Sequence, residues 1–341
     1  MATMKDVARR AGVSTSTVSH VLNQTRFVSD SIVERVKIAT QELHYSPSAL
    51  ARSLKINSTQ TLGMLLTTSC NPFFAEVLKG VERRCYERGY HLILCNTEGD
   101  LKRMQANIQM LLQRRVDGLL LMCGELDTPS LEPFNGGQLA VPSVVMDWGP
   151  EAQYSDKIRD NSLQGGYLAT HHLITQGFTQ IGCLTGPLNR HTASRRLAGF
   201  HQAMQHAQLP VNSQWIASGS FDCKGGEQAF MTLHSRGMLP DALFVCNDMM
   251  AMGVLHRCAE LGIRVPEQLS IIGYDDIELA QYLVPALTTI HQPKYRMGQQ
   301  AVDRLIERIQ HPDMPATMIE LEPTLVQRDS IKPKVMAFDK T

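Results

Sequence analysis

The chain has 341 residues, 43% of them hydrophobic, and its 33 Lys and Arg side chains balance its 33 Asp and Glu side chains. That length exceeds one compact core and suits about two or three folding units, and the neutral balance excludes a chain that is basic or acidic throughout. The charge is uneven all the same, for Lys5, Arg9, Arg10, Arg26, Arg35, Lys37, Arg52 and Lys55 stand against only Asp6, Asp30, Glu34 and Glu42 between Met1 and Asn57, which puts positive charge where phosphates would be met.

Cys70, Cys85, Cys95, Cys123, Cys183, Cys223, Cys246 and Cys258 form no C-x-x-C pair, and several lie in apolar runs. They read as buried thiols of a reducing cytosol, not as a disulfide frame or a zinc site. The N-terminus lacks the apolar core of a secretory signal, and no run approaches the eighteen or so apolar residues of a membrane span. A soluble, cytoplasmic protein associated with the nucleoid is expected.

In chain order, Thr3-Met-Lys-Asp6 fits a capping box, followed by an apolar face of Met4, Val7, Ala8 and Ala11 and a left-handed stop at Gly12. A second helix is predicted from Ser14 or Thr15, with Val18, Val21 and Leu22 inward and Thr15, Ser16, Thr17, Ser19 and His20 outward. Ser31 and Glu34 fit the cap of a third helix, whose Ile32, Val36, Ala39 and Leu43 close a small core. A short helix, a turn with Gly and a second helix rich in short hydroxyls are the parts of a helix-turn-helix. The pattern alone also fits an ordinary three-helix bundle with a polar face.

The run Met4-Lys-Asp-Val-Ala-Arg-Arg-Ala-Gly-Val-Ser-Thr-Ser-Thr-Val-Ser-His-Val-Leu-Asn23 closely resembles the opening signature of the lac repressor family. That resemblance implies DNA binding through a pseudo-palindromic operator, with Thr15, Ser16 and His20 as base readers and Arg26 beside them. Lys5, Asn23 and Tyr45 become contacts to the DNA backbone or parts of the module's own packing.

Pro47 stops the third helix and can open another, and Ser48-Ala-Leu-Ala-Arg-Ser-Leu54 has helical composition. So short a helix is marginal without a partner, and a plain linker fits the residues as well. By the resemblance it is a hinge helix that forms on DNA, with Leu54 as a minor-groove wedge flanked by Arg52 and Lys55.

From Thr61 onward, apolar runs alternate with helical segments: Leu62–Thr67, Leu92–Cys95, Val116–Met122, Val144–Met146, Ile181–Leu184, Leu243–Cys246 and Ile271–Gly273. Alternation of this kind predicts an α/β core of parallel sheets flanked by helices, divided near Asp160-Asn161. The domains expected are 1–46, the helix-turn-helix, 47–57, the hinge, and 58–341, a two-lobed core. Its first lobe takes about 60–160 with 293–322, and its second about 161–292 with 323–341.

Open parallel sheets bind ligands beyond the carboxyl ends of their strands. The residues there are Asn71 with Phe73 and Phe74, Asp147 with Trp148, Arg190 to Arg196, Asn247 with Asp248, Asp275 with Asp276, and Gln292. Carboxylates, amides, a guanidinium and aromatic faces suit a sugar, although each residue alone has a duller explanation as turn former, core or surface charge. The lac repressor family is similar to periplasmic sugar-binding proteins. Against the ribose-binding member of that group the binding positions are matched by Asn71, Phe73, Phe74, Asp147, Arg196, Phe221, Asn247, Asp275 and Gln292. Trp148 departs from it, standing where that protein has an arginine.

The resemblance therefore implies a transcriptional repressor of ribose-use genes, released by D-ribose in the interlobe cleft. The alternative is a purine-type repressor whose grip a nucleobase strengthens, since Arg190, Thr192, Phe221 and Trp148 would suit a nucleobase pocket. No G-x-G-x-x-G, Walker loop, G-x-S-x-G or H-E-x-x-H appears, so neither catalysis nor a cofactor is expected. Adjacent His171-His172 diverge on a helix and do not suit a shared metal. The tail from Asp329 to Thr341 has no heptads, which points to a homodimer.

Overall fold

The computed structural model describes residues 2–46, 58–123, 139–147, 155–237 and 239–334. The chain forms two compact units, 1–60 and 61–341. In the first, helices α1 (Met4–Ala11), α2 (Thr15–Asn23) and α3 (Asp30–Glu42) close over Val7, Ala8, Ala11, Val18, Val36 and Ala39. The capping box forms: Thr3 N donates to Asp6 Oδ2 at 2.9 Å, and Asp6 N donates to Thr3 Oγ1 at 3.4 Å. Gly12 ends α1 with φ of 64°, and Arg35 of α3 donates to the Ala11 and Gly12 carbonyls at 3.0 and 3.1 Å. That guanidinium satisfies carbonyls the helix end leaves over. The third helix starts one residue before Ser31: Ser29 is its N-cap and makes no side-chain cap bond. Neither Ser31 nor Glu34 is therefore the cap.

The second unit contains two parallel sheets with helices α4 (Pro72–Glu87), α5 (Leu101–Gln113), α6 (Ser162–Thr175), α7 (His191–His206), α8 (Cys223–His234), α9 (Asp248–Glu260) and α10 (Lys294–Gln310). The first sheet is ordered β11-β5-β4-β3-β1-β2, from β1 (Thr61–Leu66), β2 (His91–Asn96), β3 (Gly118–Met122), β4 (Ser143–Met146), β5 (Asp156–Asp160) and β11 (Met318–Leu321). The second is ordered β12-β10-β9-β8-β6-β7, from β6 (Ile181–Thr185), β7 (Ile216–Ser218), β8 (Ala242–Val245), β9 (Ser270–Asp275), β10 (Thr288–His291) and β12 (Thr324–Val326). Every pairing is parallel except β12 with β10. Central strands such as β3 and β8 are buried along their whole length, as strands covered on both faces must be.

The chain passes between the sheets three times, at Asp160-Asn161, at Gln292-Pro293 and between β11 and β12. Two of these passages touch, since Asn161 N donates to the Leu321 carbonyl at 2.9 Å and Asn161 Nδ2 to Glu322 Oε1 at 3.2 Å. The lobes are thus joined by a narrow bundle of crossing strands, a geometry that permits hinge motion.

At the far end of β5 from this bundle, Asp156 is 1% exposed and fully engaged. It accepts from Arg304 Nη2 at 2.9 Å, from Arg308 Nε at 2.9 Å, and from Thr317 N at 2.9 Å. Burial alone would raise its pKa, but the Arg308 and Arg304 hydrogen bonds outweigh it and hold the carboxyl below its ordinary value. The stability it contributes is present above the unfolded carboxyl pKa and is lost as pH falls through the folded one. Asp156→Ala should cost about 3 to 5 kcal/mol by taking the buried carboxylate away from Arg308 and Arg304. Urea denaturation checks this, and a loss below about 1 kcal/mol would contradict the role.

Candidate functional site

The strand ends of the second unit gather polar side chains around one guanidinium. Arg196 of α7 is 1% exposed. Its guanidinium lies 3.7 Å over the Tyr274 ring and 6.0 Å from the Phe221 ring. Nη1 donates to the Cys246 carbonyl at 2.7 Å and stands 3.7 Å from Asp275 Oδ1. Such depth needs α6 and α7 to approach closely, and Gly165-Gly166 supply the room. A Cβ on Gly166 would lie 2.2 Å from the Arg196 carbonyl oxygen, and one on Gly165 would lie 2.1 Å from the Tyr274 hydroxyl.

Carboxylates surround the cation. Asp147 follows β4 and accepts from Asp160 N at 3.2 Å through Oδ1. Asp160 ends β5, and its Oδ2 accepts from the Tyr274 hydroxyl at 2.5 Å and from Ser162 Oγ at 3.0 Å. Asp275 ends β9 and accepts from Gln292 Nε2 at 2.7 Å. Burial raises all three, to about 6 for Asp147 and about 7 for Asp160 and Asp275. The neighbouring Asp147 raises Asp160 further, while Arg196 pulls each of them back. Burial works against the Arg196 cation as well, but Tyr274, Asp275, Asp160 and Asp147 keep its pKa above the ordinary guanidinium value.

Several buried polar atoms of this cluster have no hydrogen-bond partner among the described residues: Arg196 Nε and Nη2, Asp147 Oδ2, Asp160 Oδ1 and Gln292 Oε1. Unpaired buried polar atoms are rare and costly. Donors and acceptors left over together, around one cation, make a site that can accept and donate to a small polar ligand.

Of the residues singled out from the sequence, these contacts unite Asp147, Arg196, Phe221, Asp275 and Gln292. Asn247 joins them through Nδ2, which donates to the Phe221 carbonyl at 3.2 Å, while its Oδ1 caps α9 by accepting from Met250 N. Asn71 sits elsewhere in the contact network, as the cap of α4 through Phe73 N at 2.9 Å. Phe73 and Phe74 are 2% and 1% exposed core residues whose rings meet edge to face at 5.4 Å. Trp148 lies outside the described residues.

Asp160 and Tyr274 complete the cluster and were not singled out. Asp160 ends a strand reading Asp-Lys-Ile-Arg-Asp, too charged to register as an apolar run, and Tyr274 passes as one more core residue of β9. Asp248 supports the site from behind. It accepts from Thr289 Oγ1 at 2.6 Å and from Ile277 N at 2.9 Å, and burial pushes its pKa up to about 7.

In the first unit, Thr15, Ser16, Asn23, Arg26 and Lys5 are exposed and His20 is half-buried. Ser14 caps α2 through Thr17 N at 3.1 Å and shares a hydrogen bond with Ser16 at 2.7 Å. His20 Nδ1 meets Thr25 Oγ1 at 2.9 Å, and Asn23 Nδ2 donates to the Ser19 carbonyl at 2.8 Å. Phe27, 96% exposed, follows Arg26. The α2 N-terminus therefore presents small exposed hydroxyls of the kind that let a backbone approach base edges and phosphates. Arg52, Leu54 and Lys55 lie outside the described residues. Among the described residues no helix is long and apolar enough to cross a membrane, and no group of His, Cys, Asp and Glu is placed to hold a metal ion.

Comparison with known proteins agrees with both halves. Residues 3–48 match the description "Bacterial regulatory proteins, lacI family", and residues 170–331 match "Periplasmic binding protein-like domain". The chain is similar to the ribose operon repressor of Escherichia coli strain K12, with 52% identity over 97% of this chain and 100% of that one. It is also similar to the HTH-type transcriptional repressor PurR of Photobacterium profundum, with 49% identity over 97% of this chain and 99% of the relative. Among solved structures, the lac repressor dimer bound to operator and the anti-inducer ONPF aligns at a TM-score of 0.86 and 29% identity, over 96% and 98% of the two chains. A LacI family regulator from Enterococcus faecium with bound ribose aligns at 0.71 and 30% identity, over 80% of this chain and 99% of that one.

The raised carboxyl at Asp160 has a pH signature. Its folded pKa of about 7 exceeds the ordinary value, so the folded state keeps a proton that the unfolded chain has released. The stability it contributes is full below the unfolded pKa and is lost as pH rises from about 4 to about 7. Asp160→Asn should flatten that fall in urea denaturation measured across a pH series, and an unchanged slope would contradict the shift.

Proposed function

The chain belongs to the LacI family of bacterial regulatory proteins, and from that premise we propose that it represses a ribose-use operon and leaves its operator when ribose binds around Arg196. The observation that carries this reading is the set of unpaired atoms in the cluster. Two guanidinium donors are left over in the same cluster as carboxylate and amide acceptors, and a sugar hydroxyl both donates and accepts, so a pentose can satisfy several of them at once. The likeness to the ribose operon repressor and the ribose bound in the Enterococcus faecium regulator support the same ligand.

A nucleobase corepressor is the second reading. Relatives named PurR reach 49 and 50% identity, and the Phe221 ring beside Arg196 could stack on a planar ligand. Three carboxylates suit hydroxyl donors better than a purine ring rich in acceptors, which favours the sugar.

Two copies of the chain bind one pseudo-palindromic operator, each reading a half-site with α2. The segment 47–57, with Leu54 as wedge, lies outside the described residues and completes the grip in the central minor groove. Ribose draws the lobes together about the three crossovers, and the change at the first lobe unseats the paired hinges. The protein acts by binding and not by catalysis, as a cytoplasmic homodimer. Ligand and operator then weaken each other reciprocally, by a coupling of about 1 to 3 kcal/mol.

Operator affinity, measured at one fixed salt concentration with ribose, hypoxanthine or neither, tests the reading. Ribose should weaken binding by about tenfold or more. Tightening with hypoxanthine would transfer the protein to the nucleobase reading, and indifference to both would refute the pocket. Asp275→Asn should keep ligand-free operator affinity and lose the ribose response; a variant still released by ribose would refute the role of Asp275.

A further inference from the structure

Behind the cluster sits a second buried cation. Lys294 opens α10, its side chain has 0% exposure, and its Nζ donates to the backbone carbonyls of Asp275 at 2.5 Å and Asp276 at 2.8 Å. Glu76 Oε2 on α4 stands 3.5 Å away. A buried ammonium is costly unless its donors are used, and here the acceptors come from both lobes.

The carbonyls it holds belong to an unusual piece of backbone. Asp275 carries φ of 110°, a value that side chains other than glycine adopt only where the surroundings over-determine them, and Asp276 follows it in the left-handed region at 56°. Their side chains leave in different directions. Asp275 points to Gln292 and Arg196, while Asp276 meets His291 at 2.8 Å and Arg328 at 2.7 Å. With the two carbonyls fixed on one ammonium, the Asp275 carboxylate has little freedom to leave Arg196.

The other side of Lys294 is equally constrained. Helices α10 and α4 touch backbone to backbone: a Cβ on Gly80 would lie 2.1 Å from the Tyr295 carbonyl oxygen, and one on Gly298 would lie 2.3 Å from that of Val77. Packed interiors transmit displacement instead of absorbing it. A shift of the Asp275 backbone therefore reaches α10 and α4 with little slack.

We propose that Lys294 is a positioning residue, which sets the Asp275 carboxylate against Arg196 and, with Glu76, carries its displacement to the α4–α10 pair of the first lobe. The proposal rests on the effector reading of the cluster given above. An ordinary buried lysine would explain the burial but neither the hold on two successive carbonyls, one of them at a strained residue, nor the contact across the lobes.

Three measurements on the full chain test it. In ligand-free protein, Lys294→Met should speed amide exchange at residues 275–278 by about tenfold or more while α1 to α3 keep wild-type rates. The same variant should bind ribose about tenfold or more weakly in calorimetry. Glu76→Gln, at a side chain 34% exposed, keeps the fold; it should hold ribose affinity within about twofold and yet shrink the ribose-induced loss of operator affinity by about threefold or more. Wild-type exchange in Lys294→Met, or wild-type coupling in Glu76→Gln, overturns the proposal. Failure of the wild-type protein to bind ribose would instead refute the effector reading, and amide exchange would still decide the anchoring role of Lys294.

Discussion

A guanidinium shut away from water is the constraint from which the rest of the core follows. Arg196 is buried at the ends of the strands, with an aromatic face beneath it and one carbonyl accepting a hydrogen bond from it. Such a charge is tolerable only with compensation close by. Asp147, Asp160 and Asp275 supply it, and each arrives at the end of a different strand, so both sheets must converge on one point. The compensation is incomplete within the protein. Atoms on Arg196, Asp147, Asp160 and Gln292 remain unpaired, and a ligand can complete a network that the fold alone leaves open.

The two ends of β5 show how the same residue type serves stability or function according to its surroundings. Asp156 at one end receives two guanidinium groups, a hydroxyl and an amide, and sits below its ordinary pKa. Asp160 at the other end keeps one oxygen unpaired and is pushed up to about 7 by burial. The first carboxylate closes a structural contact. The second keeps unspent hydrogen-bonding capacity where the lobes cross, beside Asn161 and its link to Glu322. Raised carboxyls next to a buried cation are a pattern found at binding sites.

Apolar runs of β-branched and aliphatic residues announced the central strands well, because a strand covered on both faces has to be apolar throughout. Leu62–Thr67 corresponds to β1, Ile181–Leu184 to β6 and Ile271–Gly273 to the middle of β9. The crossover strands β5 and β11 were silent for the converse reason, whereas the edge strand β2 was announced by Leu92–Cys95. Asp-Lys-Ile-Arg-Asp in β5 alternates buried carboxylates with half-buried cations, and Met318–Leu321 is largely exposed. Residues after strands included much of this polar cluster, yet Asp160 and Tyr274 escaped because one ends a charged strand and the other sits inside an apolar one. Lys294 gave no local signal at all. Its meaning depends on carbonyls 18 and 19 residues away and on a helix of the other lobe. The cap of α3 lies two residues before the one expected, at Ser29 instead of Ser31, a distinction that short Ser-rich sequence does not resolve.

The account stands or falls on Arg196 as the centre of the effector site. Calorimetric titration of ribose into the wild-type protein and into Arg196→Gln, with circular dichroism confirming that the variant folds, addresses it directly. The account predicts that ribose binds the wild type and that the variant loses about a hundredfold in affinity or more, since a buried charge and its partners are left mismatched. Equal ribose affinity in the two proteins would contradict it and place the effector elsewhere in the molecule.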